Sequence, residues 1–80
     1  MEIYEMFVKA EDEVVRKDIS NTKAFSIGLS YMLGYGLVTG MEADEGTIYF
    51  ETVEGLLGYP SIRHLVALGF HYDDGIAFYT

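Results

Sequence analysis

A chain of 80 residues with 13 acidic against five basic side chains, a formal charge of −8, is sized for one domain and has little to offer a polyanion. Without cysteine it has no disulfide, no thiolate nucleophile and no cysteine zinc site, which fits a reducing cytoplasm and leaves stability to packing. Half the residues are apolar and twelve are aromatic, seven of them Tyr, enough for a core and against disorder of the whole chain.

The N-terminal stretch MEIYEMFVKAEDE is acidic where a secretory leader is basic, so no signal peptide is read there. Across residues 2–17 the apolar side chains Ile3, Phe7, Ala10 and Val14 follow a 4-3-4 spacing, with Glu2, Glu5, Lys9, Asp12 and Arg16 opposite them. That spacing predicts an amphipathic helix within an N-terminal segment 1–19. Alternation over Met1 to Val8 also permits a strand, and the helix is preferred. Ser20 or Asn21 is the expected N-cap of the next helix.

Ala24 to Met41 runs eighteen residues without a charge. A membrane span needs about 17–25 such residues, but four glycines, a Gly-Tyr-Gly break at Gly34–Gly36 and the lack of a basic cluster on either flank favour a core helix. Phe25, Leu29, Met32 and Leu33 fall on one helical face, and Ser26, Gly28 and Ser30 leave the other side thin enough for close packing. The helix is expected to end at Gly34, with a positive φ there and at Gly69.

Period two then takes over: Leu37–Thr39 leads to a polar tip, Glu42–Gly46, and Thr47–Glu51 returns, which reads as a β-hairpin. A short helical turn capped by Thr52 is expected next, followed by a helix with Pro60 in its first turn that runs to about Leu68. Phe70–Tyr72 and Ile76–Tyr79, joined by Asp73-Asp74-Gly75, make a second hairpin. Leu33-Gly34-Tyr35 matches Leu68-Gly69-Phe70 at an offset of 35, and Asp44-Glu45-Gly46 matches Asp73-Asp74-Gly75 at 29, so the two halves share a plan. The fold class is therefore α+β: a single small domain in which the N-terminal helix precedes two helix–hairpin units, 20–51 and 52–80, that form a small antiparallel sheet. Phe25, Leu29, Leu33, Ile48, Leu65, Leu68 and Phe70 are its expected core.

No catalytic set emerges. His64 and His71 match no metal-ligand spacing, with or without Asp73 or Asp74. A calcium loop with Gly46 as its sixth residue would need oxygen ligands at Met41, Ala43 and Thr52, where the first two offer none and the third cannot chelate. Ser26, Ser30 and Ser61 lie on helices without a nucleophile elbow, and Gly34-Tyr35-Gly36 lacks the strand-then-helix setting of a nucleotide loop. The chain is read as having no enzyme activity, no metal and no cofactor. Ser61 to Tyr79 resembles the last helix and wing of the winged helix-turn-helix family. Two departures count against DNA binding: Gly58 and Gly69 are too close for a turn and a full recognition helix, and Arg63 is the one cation beside Asp73 and Asp74.

The charge is uneven. Residues 42–80 hold seven acids, Glu42, Asp44, Glu45, Glu51, Glu54, Asp73 and Asp74, against Arg63 alone. If the hairpins lie side by side these acids share a face, with Tyr49 and Tyr72 as aromatic anchors, suited to a basic protein surface such as a nucleic-acid-binding groove. Net charge also serves solubility. By analogy of type, small acidic inhibitors of phage or mobile-element origin, directed against CRISPR or restriction systems, fit this description. The alternatives are an oligomerising structural or adaptor module, with Tyr31 and Tyr35 as a dimer interface, and a degenerate winged-helix module that binds protein.

Overall fold

A computed structural model describes residues 1–53 and 55–80, so the expectation placed on Glu54 lies outside the described residues. The chain is α+β, with the order α1 (Ile3–Glu13), α2 (Asn21–Gly34), β1 (Val38–Asp44), β2 (Thr47–Thr52), α3 (Tyr59–Ala67), β3 (His71–Tyr72) and β4 (Ile76–Tyr79). The strands form one antiparallel sheet in the order β1-β2-β4-β3. Each hairpin pairs within itself, and β2 with β4 joins the two.

Helix α1 starts in a capping box in which Glu2 and Glu5 satisfy each other's backbone N–H groups. It ends at Glu13, four residues short of the expected span. Its buried side carries Met6, Phe7 and Ala10 against the core, with Ile3 and Val14 partly covered. Helix α1 docks on α3, where Glu13 accepts hydrogen bonds from Tyr59 and Arg63, and Lys9 and Arg63 lie over the Tyr59 ring.

Helix α2 begins as expected, with Ser20 Oγ accepting from the Lys23 N–H at 3.2 Å. Its packing face differs from the one the apolar spacing suggests. Ala24, Gly28 and Met32 are buried, Phe25 and Leu29 are half-buried, and Leu33, placed in the core by sequence, is 60% exposed. The cause lies in the partner: the Phe70 ring packs directly on the backbone at Gly28, so the small side of the helix turns inward. Phe25 keeps contact from the flank, its ring 5.3 Å from Phe78 and 6.3 Å from Phe70.

The end of α2 also needs correction. Gly34 is the last helical residue, and the positive φ belongs to Gly36, at 64°. Gly36 N–H donates to Leu33 O at 3.2 Å and Leu37 N–H to Met32 O at 2.8 Å, the paired bonds of a Schellman motif. Helix α3 ends the same way, as expected for Gly69. Its φ is 92°, Gly69 N–H donates to Val66 O and Phe70 N–H to Leu65 O. The matching exits are thus Tyr35-Gly36-Leu37 and Leu68-Gly69-Phe70, an offset of 33, and the offset of 35 read from sequence is displaced by two residues.

Strand β1 runs on to Asp44, so Glu42 and Asp44 lie on a strand and only Glu45 and Gly46, both with positive φ, form the turn. In place of a helical turn capped by Thr52, β2 continues to Thr52 and no helix precedes α3 between Val53 and Gly58 among the described residues. The helix-turn-helix arrangement that the resemblance implied is therefore absent among them. No helix of the described residues is long and apolar enough to cross a membrane.

Candidate functional site

Residues alternate between the two faces of a strand, so the sheet's register sorts its side chains. Ile48, Phe50, Ile76 and Phe78 point at the helices and join the core. The residues between them point away. Tyr49 stands opposite Glu42 on β1 and Ala77 on β4, and Ala77 stands opposite His71 on β3. Asp44, Thr47 and Tyr79 make a second row, and Gly40 with Glu51 a third. The open face thus brings together Glu42, Asp44, Glu51 and Tyr49 of the expected residues.

Its centre is aromatic. His71 and Tyr79 stack at 3.6 Å between centroids and 18° between planes, and Ala77, flanked in the register by Tyr49 and His71, is fully buried. Tyr79 remains 58% exposed, presenting its ring to solvent. Tyr49 Oη donates to Asp73 Oδ2 at 3.1 Å, which ties the second turn to this face. That hydrogen bond, with a smaller contribution from burial, raises the Tyr49 pKa because the phenolate would lose it beside a carboxylate. Burial lowers the His71 pKa, with Asp73 and Glu11 acting in the opposite sense, and Nε2 is buried with no hydrogen-bond partner among the described residues.

Other expected residues fall elsewhere. The pairing of β2 with β4 is antiparallel, Thr47 with Tyr79 and Phe50 with Ile76, so the two hairpin turns lie at opposite ends of the sheet. Glu45 at one end and Asp74 at the other are both exposed and do not converge. Tyr72 is on the helix side, paired with Ile76 and packed against Tyr4 and Phe7, so it is not an anchor of the open face. Tyr31 is turned inward: its hydroxyl meets Ser61 Oγ at 2.8 Å and its ring lies 4.5 Å from His64. Tyr35, 71% exposed, lies with its ring 5.0 Å from that of Tyr31 and is left as the freer of that pair.

The sequence weighs His71 only as a metal ligand and does not single out Tyr79. Their period-two placement was legible, but only the register of β3 on β4 shows that they stack beside Tyr49. The cations have gone to the helical side. Arg63 pairs with Glu13 at 3.1 Å, Arg16 donates to Lys17 O and Asn21 Oδ1, and among the described residues no ion pair reaches the sheet acids. Nor do three His, Asp or Glu side chains gather among them in a way that would hold a metal. A face of ring surfaces bordered by unpaired carboxylates is suited chemically to guanidinium or ammonium groups, which a carboxylate attracts and a ring face accepts. No protein-family model, curated protein or solved structure matches this chain.

Proposed function

We propose that the protein binds a basic surface of a nucleic-acid-binding protein through the open face of its sheet and occludes that surface, as a small inhibitor of the kind phage and mobile elements direct against CRISPR or restriction systems. The observation that supports this reading is the joint placement of Glu42, Asp44, Glu51 and Asp73 around Tyr49, Tyr79 and His71, with the cations drawn off to the helices. Carboxylates stand in for phosphates and steer a cationic partner, while the rings supply contact area that can be desolvated. A partner of that kind would place the protein in the cytoplasm.

The test is recovery of partners from a bacterial lysate on immobilised protein, followed by elution with salt and competition with DNA or RNA. A basic nucleic-acid-binding protein is expected, released between about 50 and 500 mM salt as the Debye length shrinks about threefold, and competed by nucleic acid. Changing Glu42, Asp44, Glu51 and Asp73 together to Lys should abolish recovery. Equal recovery of the same partner by that variant would overturn the reading.

A further inference from the structure

The two edges of the sheet differ. At one, β3 is two residues long and is flanked by α1 through Tyr72, Tyr4 and Phe7. At the other, β1 is seven residues long and no strand is paired with its outer side among the described residues. The two-residue turn closes on the pair Asp44 and Thr47, so the main-chain groups of Asp44, Glu42 and Gly40 face β2 and those of Met41 and Ala43 face outward. An unpaired edge of this kind is a template for another strand.

We propose that β1 accepts an added antiparallel strand, an extended segment of the basic partner in which cationic and apolar residues alternate. The inference rests on the open-face reading and specifies how that partner is held. Residues opposite Glu42 and Asp44 would lie on the open face and meet carboxylates, which selects Lys or Arg there. Residues opposite Met41 and Ala43 would lie on the helix side. There a cleft of about 160 Å³ opens between α2 and β1, lined by Leu29, Leu33, Val38, Met41 and Phe50, with Met41 56% exposed. Main-chain bonds would supply affinity and the alternate side chains specificity. A second copy of this chain is a poorer occupant, because the two-fold registers centred on Glu42 and on Ala43 set Glu42 against Glu42 or Asp44 of the copy, and the one centred on Met41 runs into the irregularity between Val38 and Gly40. The same charges that oppose the copy favour a basic strand.

The test uses the unmodified protein and a fluorescein-labelled nine-residue peptide alternating Lys with Val, beside a peptide of the same composition with the lysines in one block. The alternating peptide should bind at least about tenfold more tightly, and N-methylation of its bonding amides should abolish the difference. On binding, the Met41 and Ala43 amides should exchange with deuterium at least about tenfold more slowly, while that of Glu42, already paired with β2, changes little. Equal binding of both peptides, or binding without protection of Met41 and Ala43, overturns the edge proposal. Absence of any peptide binding overturns it too. The open-face reading is judged separately, by the charge-reversal variant against protein partners, and survives each of these results. Self-association that protects the same two amides in the free protein would assign the edge to a second copy and overturn the proposal.

Discussion

At Gly28 the backbone of α2 passes so close to the Phe70 ring that an added Cβ would overlap it. The Phe70 ring is itself wedged among Phe25, Phe50 and Phe78 and has little freedom to move. Gly28→Ala should therefore cost about 1–3 kcal/mol in urea denaturation. Gly34→Ala should instead be neutral or stabilising by up to about 1 kcal/mol, since the residue is helical with nothing within 4 Å of an added Cβ. The histidines give a second contrast at this scale. Burial lowers both His64, where Lys17 adds to the effect, and His71, where Asp73 and Glu11 oppose it. Below the ordinary 6.5 the unfolded chain then holds protons that the folded one does not, so this stability is full above 6.5 and is lost as pH falls through the window beneath it. Stability against urea should fall between about pH 7 and 5, with a shallower fall in His71→Gln or His64→Gln. A fall of unchanged depth in both variants would remove the histidines as its source.

At the scale of elements, the two helix exits carry the same demand. Gly36→Val and Gly69→Val should each cost on the order of 1 kcal/mol or more, because only glycine takes the left-handed conformation without strain. Thermal melts of the two variants check this. Met32→Ala and Leu65→Ala, which empty fully buried positions, should cost about 2–5 kcal/mol, whereas Leu33→Ala should cost far less despite its place on the apolar stripe. Element types were legible in the sequence because period and punctuation encode them: the 4-3-4 stripe of α1, Ser20 as a cap, Pro60 in the first turn and the turn at Gly46 all describe local geometry. The face of α2 was not legible, because its choice depends on a Phe ring forty-two residues away from Gly28. The exit at Gly36 was missed for a narrower reason. Gly34 and Gly36 both suit a left-handed cap, and only the hydrogen bonds of Leu37 to Met32 and Gly36 to Leu33 decide between them.

For the whole molecule, a formal charge of −8 with its sheet acids unpaired among the described residues makes self-repulsion a standing cost. Raising salt from about 50 to 500 mM should stabilise the fold, by screening that repulsion, and the gain should shrink when Glu42 and Asp44 are changed to Gln. The acid residues themselves could be named from sequence, but their grouping could not. Glu45 and Asp74 look alike as turn acids, and the antiparallel pairing of β2 with β4 is what sends them to opposite ends. That same pairing governs how the chain reaches its native state. Each hairpin closes locally, but Phe50 meets Ile76 and Thr47 meets Tyr79 only after α3 and its flanking turns have been drawn in between. Joining the hairpins is the loop closure with the largest entropy cost within the sheet, so the barrier to folding should lie there. Ile48→Val and Phe78→Leu, on either side of that seam, should slow refolding, while Ala10→Gly in α1 should mainly speed unfolding. Such a molecule would be two halves waiting on one seam, and the rate at which its sheet is completed would be set between β2 and β4, two strands in from the outer edge of β1.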